Sequence, residues 1–246
     1  MKTEYKTIRV AALGDLHYTR KSQGGLQALF AQATEAADVL LLCGDLTDNG
    51  HPDEARVLAT DLKSYVKIPL VGVLGNHDHE SGRHTEVSEI LSESGVAMLD
   101  GSACEIQGVG FAGVKGFCGG FGRQALQPWG EEIIKRFVQE TVDEALRLEK
   151  ALAKLETPLR VVLLHYAPIK DTVEGEHSEI FTYLGSSRIE EPLNRCQVTA
   201  VFHGHAHSGR PEGRTREGIP VYNVSMALLH RSYPERPPFR LVEIQK

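Results

Sequence analysis

Aspartate, asparagine and histidine recur in five short, widely separated segments: Asp15-Leu16-His17, Gly44-Asp45, Gly75-Asn76-His77-Asp78, His165 and Gly204-His205-Ala206-His207. Such side chains bind borderline and hard divalent cations. Imidazole suits zinc, iron or manganese, while carboxylate and amide oxygens shift the preference toward manganese, iron and other ions that accept five or six ligands. No thiolate is present to single out zinc, because Cys43, Cys104, Cys118 and Cys196 are scattered without a C-x-x-C pair. Seven candidate donors, Asp15, His17, Asp45, Asn76, His165, His205 and His207, exceed what one ion takes from protein while keeping a position open. Two metals sharing a bridging carboxylate fit the count better. Taken singly, Asp15 and Asp45 read equally well as caps and Asn76 as a turn residue; only their joint occurrence carries weight.

Each segment follows an apolar run that reads as a buried strand. Ile8 to Leu13, Val39 to Cys43, Leu70 to Leu74, Leu159 to Leu164 and Val198 to Phe202 are such runs. Helical patterns at Leu26 to Ala37 and Pro52 to Val66 lie between the first three, which implies parallel pairing in an α/β architecture. Ligands bind at strand ends in such sheets, where loops converge in a crevice. The middle of the chain changes character: Val96 to Leu99, Cys104 to Ile106 and Val109 to Gly113 read as short strands between glycine turns, and Gly116 to Pro128 as a long loop. Trp129 to Glu156 is the longest helical pattern, with one apolar stripe and a charged face (Lys135, Arg136, Glu140, Glu144) expected to be solvated. Val221 to Val224 and Phe239 to Ile244 read as tail strands. Residues 1–246 are read as one domain of two sheet layers with helices outside.

With these elements in place, the sequence resembles the calcineurin-like metallophosphoesterases, whose pattern runs D-x-H, G-D, G-N-H-D/E, H and G-H-x-H in that order. Every element stands here intact between residues 15 and 207. The resemblance implies an α/β fold with a two-layer β-sandwich flanked by helices (α/β/β/α). It also implies two divalent metal ions of Mn, Fe or Zn. Asp15, His17 and His207 would hold the first metal, Asn76, His165 and His205 the second, and Asp45 would bridge them. Metals about 3.5–4 Å apart clamp a phosphoryl group, and a bridging hydroxide would attack phosphorus. His77 matches the family's catalytic histidine and is assigned to the leaving group, with Asp78 the expected partner of its ring.

Gly44-Asp45-Leu46-Thr47-Asp48-Asn49-Gly50 lacks the arginine of the protein Ser/Thr phosphatases, and no tyrosine lies near Asp45 as purple acid phosphatases need. The wording is more similar to the small bacterial phosphodiesterases. The expectation is a phosphodiesterase acting on a small phosphorylated substrate, a cyclic nucleotide or another phosphodiester. The alternatives are a nuclease and a non-catalytic metal-binding scaffold. A net charge of −6 argues against a broad grip on nucleic acid. The polar start of the chain, Met1 to Thr7, lacks a signal peptide's apolar core, and no run approaches a membrane span. A reducing cytoplasm is therefore expected. Among the remaining histidines, His203 is expected to pack or orient a neighbour, His51, His84 and His230 to lie at the surface or make local hydrogen bonds, and His79 to line the mouth without a direct role. Arg20, Lys21, Lys115, Lys170 and His177 are candidate substrate contacts, and residues 116–128 and 170–187 are expected to shape specificity.

Overall fold

Strict alternation along apolar strands decides which side chains meet which layer. In the computed structural model, which describes residues 7–245, β1 (Thr7–Leu13), α1 (Gln27–Ala36), β2 (Val39–Cys43), α2 (Pro52–Tyr65) and β3 (Leu70–Val73) form the expected alternating series. α3 (His84–Glu93) leads to β4 (Val96–Met98), β5 (Ser102–Ile106) and β6 (Val109–Gly113). The long α4 (Glu132–Leu152) precedes β7 (Arg160–Leu163), α5 (Phe181–Leu184), α6 (Glu190–Arg195) and β8 (Ala200–His203). β9 (Glu212–Arg214), β10 (Pro220–Asn223), α7 (Met226–Ser232) and β11 (Arg240–Gln245) complete the described chain. The polar stretch at residues 1–6, read above as no signal segment, lies outside the described residues.

The strands build two mixed sheets, in the orders β11-β1-β2-β3-β4 and β5-β6-β7-β8-β10-β9. β1 to β4 run parallel, as do β6, β7, β8 and β10, with antiparallel strands at the edges. Val10, Ala12, Val39, Leu41, Cys43, Val71 and Val73 point from the first sheet into a buried layer shared with Phe111, Val161, Leu163 and Phe202 of the second. Their neighbours Ala11, Leu13, Leu40 and Leu42 turn the other way, onto Phe30, Leu58, Leu62 and Leu91 of α1, α2 and α3. On the far side, Ala112, Val162 and Val201 pack on Leu148 and Leu152 of α4 and Leu193 of α6. The result is the expected α/β/β/α layering.

Parallel registers set the functional rim. Leu13 pairs with Leu42, Cys43 with Val73, and Leu163 with Phe202, so β1, β2 and β3 end together, as do β7 and β8. Gly14 N–H donates to Val224 O at 2.9 Å, which ties the end of β1 to the second sheet. All four cysteines are free. Among the described residues, no helix is long and apolar enough to cross a membrane.

The sequence reading missed α3, α5, α6, α7 and β9; all but the ten-residue α3 are short. It also placed Glu144 on a solvated face, where the structure buries it. Glu144 shares a stripe with Thr141 and Leu148 at three- and four-residue spacing, and its carboxylate accepts Gly116 N–H at 2.6 Å and pairs with Arg147 at 2.7 Å.

Because Leu41 sits fully buried between the two sheets, Leu41→Ala is expected to lower stability by roughly 2–5 kcal/mol. Urea unfolding should show the drop in midpoint without a change in slope; a loss below about 1 kcal/mol would contradict a tightly packed inter-sheet layer.

Candidate metal centre at the strand ends

Three of the polar segments leave their strands through left-handed backbone. Asp15 (φ 59°), His17 (φ 45°), Asp45 (φ 47°) and His205 (φ 70°) are four of the six non-glycine residues with positive φ among those described. That region is costly for residues with a Cβ and is held only where surrounding structure over-determines it, typically at functional sites. The motif glycines have a further reason to be glycine: a Cβ at Gly44 would stand 2.4 Å from the His165 ring, one at Gly75 2.2 Å from Asp45, and one at Gly204 2.6 Å from Asp15. Close approach of backbone to the site's side chains is therefore a stronger constraint on these positions than turn formation.

Every sequence-predicted donor reaches the same rim. Asp15 is buried, accepts His205 N–H at 3.0 Å and meets the His207 ring at 3.0 Å. Asp45, also buried, accepts His77 N–H at 2.8 Å and lies 3.3 Å from His165 Nε2. His165 Nε2 is also 2.9 Å from Asn76 Oδ1, while its Nδ1 donates to Cys43 O at 3.0 Å. That backbone bond fixes the ring and leaves Nε2 facing Asp45, the usual way a ligating histidine is oriented. His205 Nε2 bonds Tyr183 O at 3.1 Å, which leaves Nδ1 for the site.

The donors fall into three overlapping groups, Asp15/His17/His207, His17/Asp45/His77 and Asp45/His165/His205, each with its atoms within 4.8 Å of one another. His17 and Asp45 each belong to two groups, so the clusters are contiguous. The donor set fits divalent cations by a second observation: His17 Nε2 is buried without a hydrogen-bond partner among the described residues, a costly state for an imidazole that has no further role.

Electrostatics follow from crowding buried acids and imidazoles. Burial opposes ionisation of Asp15 and Asp45, but the hydrogen bond from His207 to Asp15 and the charge of His165 beside Asp45 outweigh it, and both stay below the ordinary carboxylate range. Burial also opposes charge on His165; Asp45 reverses that and raises the ring to about 9. His205 has no carboxylate so close, and burial, with repulsion from His165, lowers it to about 4.

Asp78 corrects an expectation. Its carboxylate does not meet the His77 ring but turns inward, accepting from Leu46 N (3.2 Å), Thr47 N (2.7 Å), Thr47 Oγ1 (2.6 Å) and Gly75 N (2.8 Å). Residues 77–79 form a 3-10 turn, so successive side chains diverge by about 120° and cannot face one partner. The His77 ring instead bonds Asp48 O through Nδ1 at 2.7 Å, with Glu80 3.4 Å away. Burial, then the charge of Asp45, push Asp78 up to about 6.

The other candidates separate. His203 is buried between Gly204 O and Thr172 Oγ1, both at 2.8 Å, the orienting role expected of it. Arg20 pairs with Asp53, and His177 is exposed near Glu179. Lys115 stands beside the site: its carbonyl accepts the N–H of His165 at 3.0 Å and of Tyr166 at 3.1 Å. Tyr166, which sequence reasoning passed over, packs on the rings of His165 and His205 at 5.4 and 4.5 Å.

Comparison with known proteins adds ancestry to this geometry. The sequence model of the calcineurin-like phosphoesterases matches residues 8–209. The chain is 24% identical over 224 residues to a probable cyclic nucleotide phosphodiesterase of Synechococcus sp., covering 85% of this chain and 76% of that protein. It is 26% identical over 175 residues to a probable glycerophosphodiester phosphodiesterase, GpdQ, of Arcobacter nitrofigilis, covering 69% of this chain and 56% of that one. In fold it is similar to the phosphopantetheinyl hydrolase of Mycobacterium tuberculosis, with a TM-score of 0.63, 16% identity and 95% of both chains covered.

The His165–Asp45 pair makes stability depend on pH. A histidine raised from 6.5 to about 9 contributes stability that is complete below pH 6.5 and lost as pH climbs through about 9, on the order of 3 kcal/mol for a fully buried pair. Urea unfolding of chelator-treated protein should show this decline, and His165→Asn should flatten it. A wild-type stability that rises across that window would refute the pair.

Proposed function

We propose that this chain, which belongs to the calcineurin-like phosphoesterase family, is a phosphodiesterase working with two divalent cations. Membership makes it a metal-dependent hydrolase of phosphoric esters; the number of ions and the diester preference are our reading. The observation that carries it is the overlap of donor groups at His17 and Asp45, which supplies two adjacent ligand sets rather than two separate ones. Asp15, His17 and His207 would hold one cation, Asn76, His165 and His205 the other, and Asp45 would serve both. When bound, such ions of Mn, Fe or Zn supply Lewis-acid charge on the phosphoryl oxygens and lower the pKa of water to make a nucleophile.

The chain's own groups do the rest. His77 is held at two points, by its backbone N–H on Asp45 and its ring Nδ1–H on Asp48 O, which leaves Nε2 free and, in the imidazolium form, able to donate its proton to the leaving oxygen as general acid. Its ring lies 4.6 Å from that of His17, so the donor sits at the edge of the proposed first ligand set. We assign Asp78 to positioning: it holds the loop carrying Asp45 and the loop carrying Asn76 in one register through backbone donors from each. Two distant relatives named as phosphodiesterases support a small diester, a cyclic nucleotide among them. The charge of −6 speaks against a nuclease, and the full ligand set with His77 against a scaffold. Four unpaired thiols fit a reducing compartment such as the cytoplasm, and we read residues 1–246 as one catalytic domain.

Hydrolysis of bis-p-nitrophenyl phosphate should require added manganese and stop on chelation. His77→Ala should slow turnover by about 10²–10⁴-fold with bound metal retained, whereas equal rates would reject its role. Asp45→Asn should lose at least one metal per chain by elemental analysis, and an unchanged metal count would reject the bridge.

A further inference from the structure

Beside the strand-end site lies a cavity of about 510 Å³ that none of the proposed metal ligands lines. Its walls continue the elements that carry those ligands. Leu74 and His79 flank the Gly75–Asp78 turn, and Lys115 is the residue whose carbonyl holds His165 and Tyr166. The opposite wall is α3, through Thr85, Ser88 and Glu89, and the floor is closed by Met98, Leu99 and the charged face of α4. A volume in the range of about 300–1,000 Å³ is that of a small-molecule pocket.

The cavity's free groups define what it accepts. Among the described residues Lys115 Nζ bonds only Gly116 O, at 2.8 Å, and lies 4.8 Å above the Phe117 ring and 5.2 Å from that of Tyr166. Glu144, the acid whose charge acts most on Lys115, makes its hydrogen bonds to Gly116 N–H and Arg147 rather than to the ammonium, and Arg147 also takes Asp100. His84 was expected at the surface or in a local hydrogen bond. It instead stacks on His79, with centroids 4.1 Å apart and planes at 18°, and its Nδ1 is buried without a partner among the described residues. Glu89 and Glu140 add exposed acceptors. Four carboxylates (Glu89, Asp100, Glu140, Glu144) against two cations (Lys115, Arg147) leave the lining net negative. A second anionic group is therefore repelled, while a flat, uncharged group with donors and acceptors on its edges is matched.

Resting on the phosphodiesterase reading, we infer that this cavity binds the nucleoside moiety of the substrate, with Lys115 and the His79–His84 stack as specificity-determining contacts. The base packs on the imidazole stack and on Leu74 and Met98. Lys115 donates to a ring nitrogen or carbonyl, and Glu89 or Glu140 accepts from ribose hydroxyls. The phosphate then lies toward Asn76 and His165.

Because the lining contains no proposed metal ligand, the test uses chelator-treated protein. Isothermal titration with adenosine should give saturable binding that inorganic phosphate does not displace. Ser88→Trp, which fills the cavity, and Lys115→Met should each weaken it at least tenfold; Thr85→Phe, an exposed position on the first turn of α3, provides a second blockade if Ser88→Trp lowers the melting temperature. In the metal-loaded enzyme the same changes should lower kcat/KM for a cyclic nucleotide relative to bis-p-nitrophenyl phosphate. Absence of adenosine binding, displacement by phosphate, or wild-type affinity in the blocked variants would overturn the inference. Adenosine binding without metal-dependent hydrolysis keeps the cavity and rejects the phosphodiesterase reading; hydrolysis without adenosine binding does the reverse.

Discussion

Three carboxylates, Asp15, Asp45 and Asp78, are buried at one rim of this protein, and isolated charges in a low-dielectric interior are too costly to persist unless each is matched. The rest of the site follows from how they are matched. Asp78 is satisfied from within by four short bonds to protein donors. Asp15 and Asp45 have backbone donors on one side only and face histidines on the other. In the protein alone, the facing carboxylates favour the protonated form of those imidazoles. That places His165 and His207 above the ordinary histidine range, the state that a cation binding at the same nitrogens must displace.

Holding this arrangement takes a rigid frame. Four donors sit in left-handed backbone, each costing on the order of 1–3 kcal/mol. Such strain persists because the strand ends on either side cannot move: β1, β2 and β3 are in parallel register and buried on both faces by the second sheet and the helices. The glycines at positions 44, 75 and 204 complete the frame, since any side chain there would occupy the space of His165, Asp45 or Asp15.

The strands and the donors were legible in the sequence for different reasons. Strands buried on both faces read as continuous apolar runs, and Val39 to Cys43 was placed to the residue. Metal-binding chemistry restricts residue types so strongly that Asp15, Asp45, His165 and the His205/His207 pair stood out without knowledge of the fold. Partnership was not legible. Nothing in Gly75-Asn76-His77-Asp78 reveals that a 3-10 turn sends His77 and Asp78 to different partners. Glu144 looks like any charged residue on an amphipathic helix until β6 and the Gly116 N–H are brought against it. α6 and α7 escaped because helices of six and seven residues are too short to display a period.

The proposed site and the proposed nucleoside cavity draw on separate structural sources. The donors stand on strand ends fixed by the inter-sheet core, where a small displacement would disturb every neighbour. The cavity beside them is walled by α3 and α4, which pack on the outer faces and carry exposed residues such as Thr85, Glu89 and Glu140. Substitution there changes what fits next to the phosphate without touching the strained turns that hold the acids. Lys115 is where the two parts meet: its backbone holds His165 in place, and its side chain faces the cavity. A change at that side chain can redirect the choice of substrate while the main-chain bond that positions His165, a proposed metal ligand, is kept.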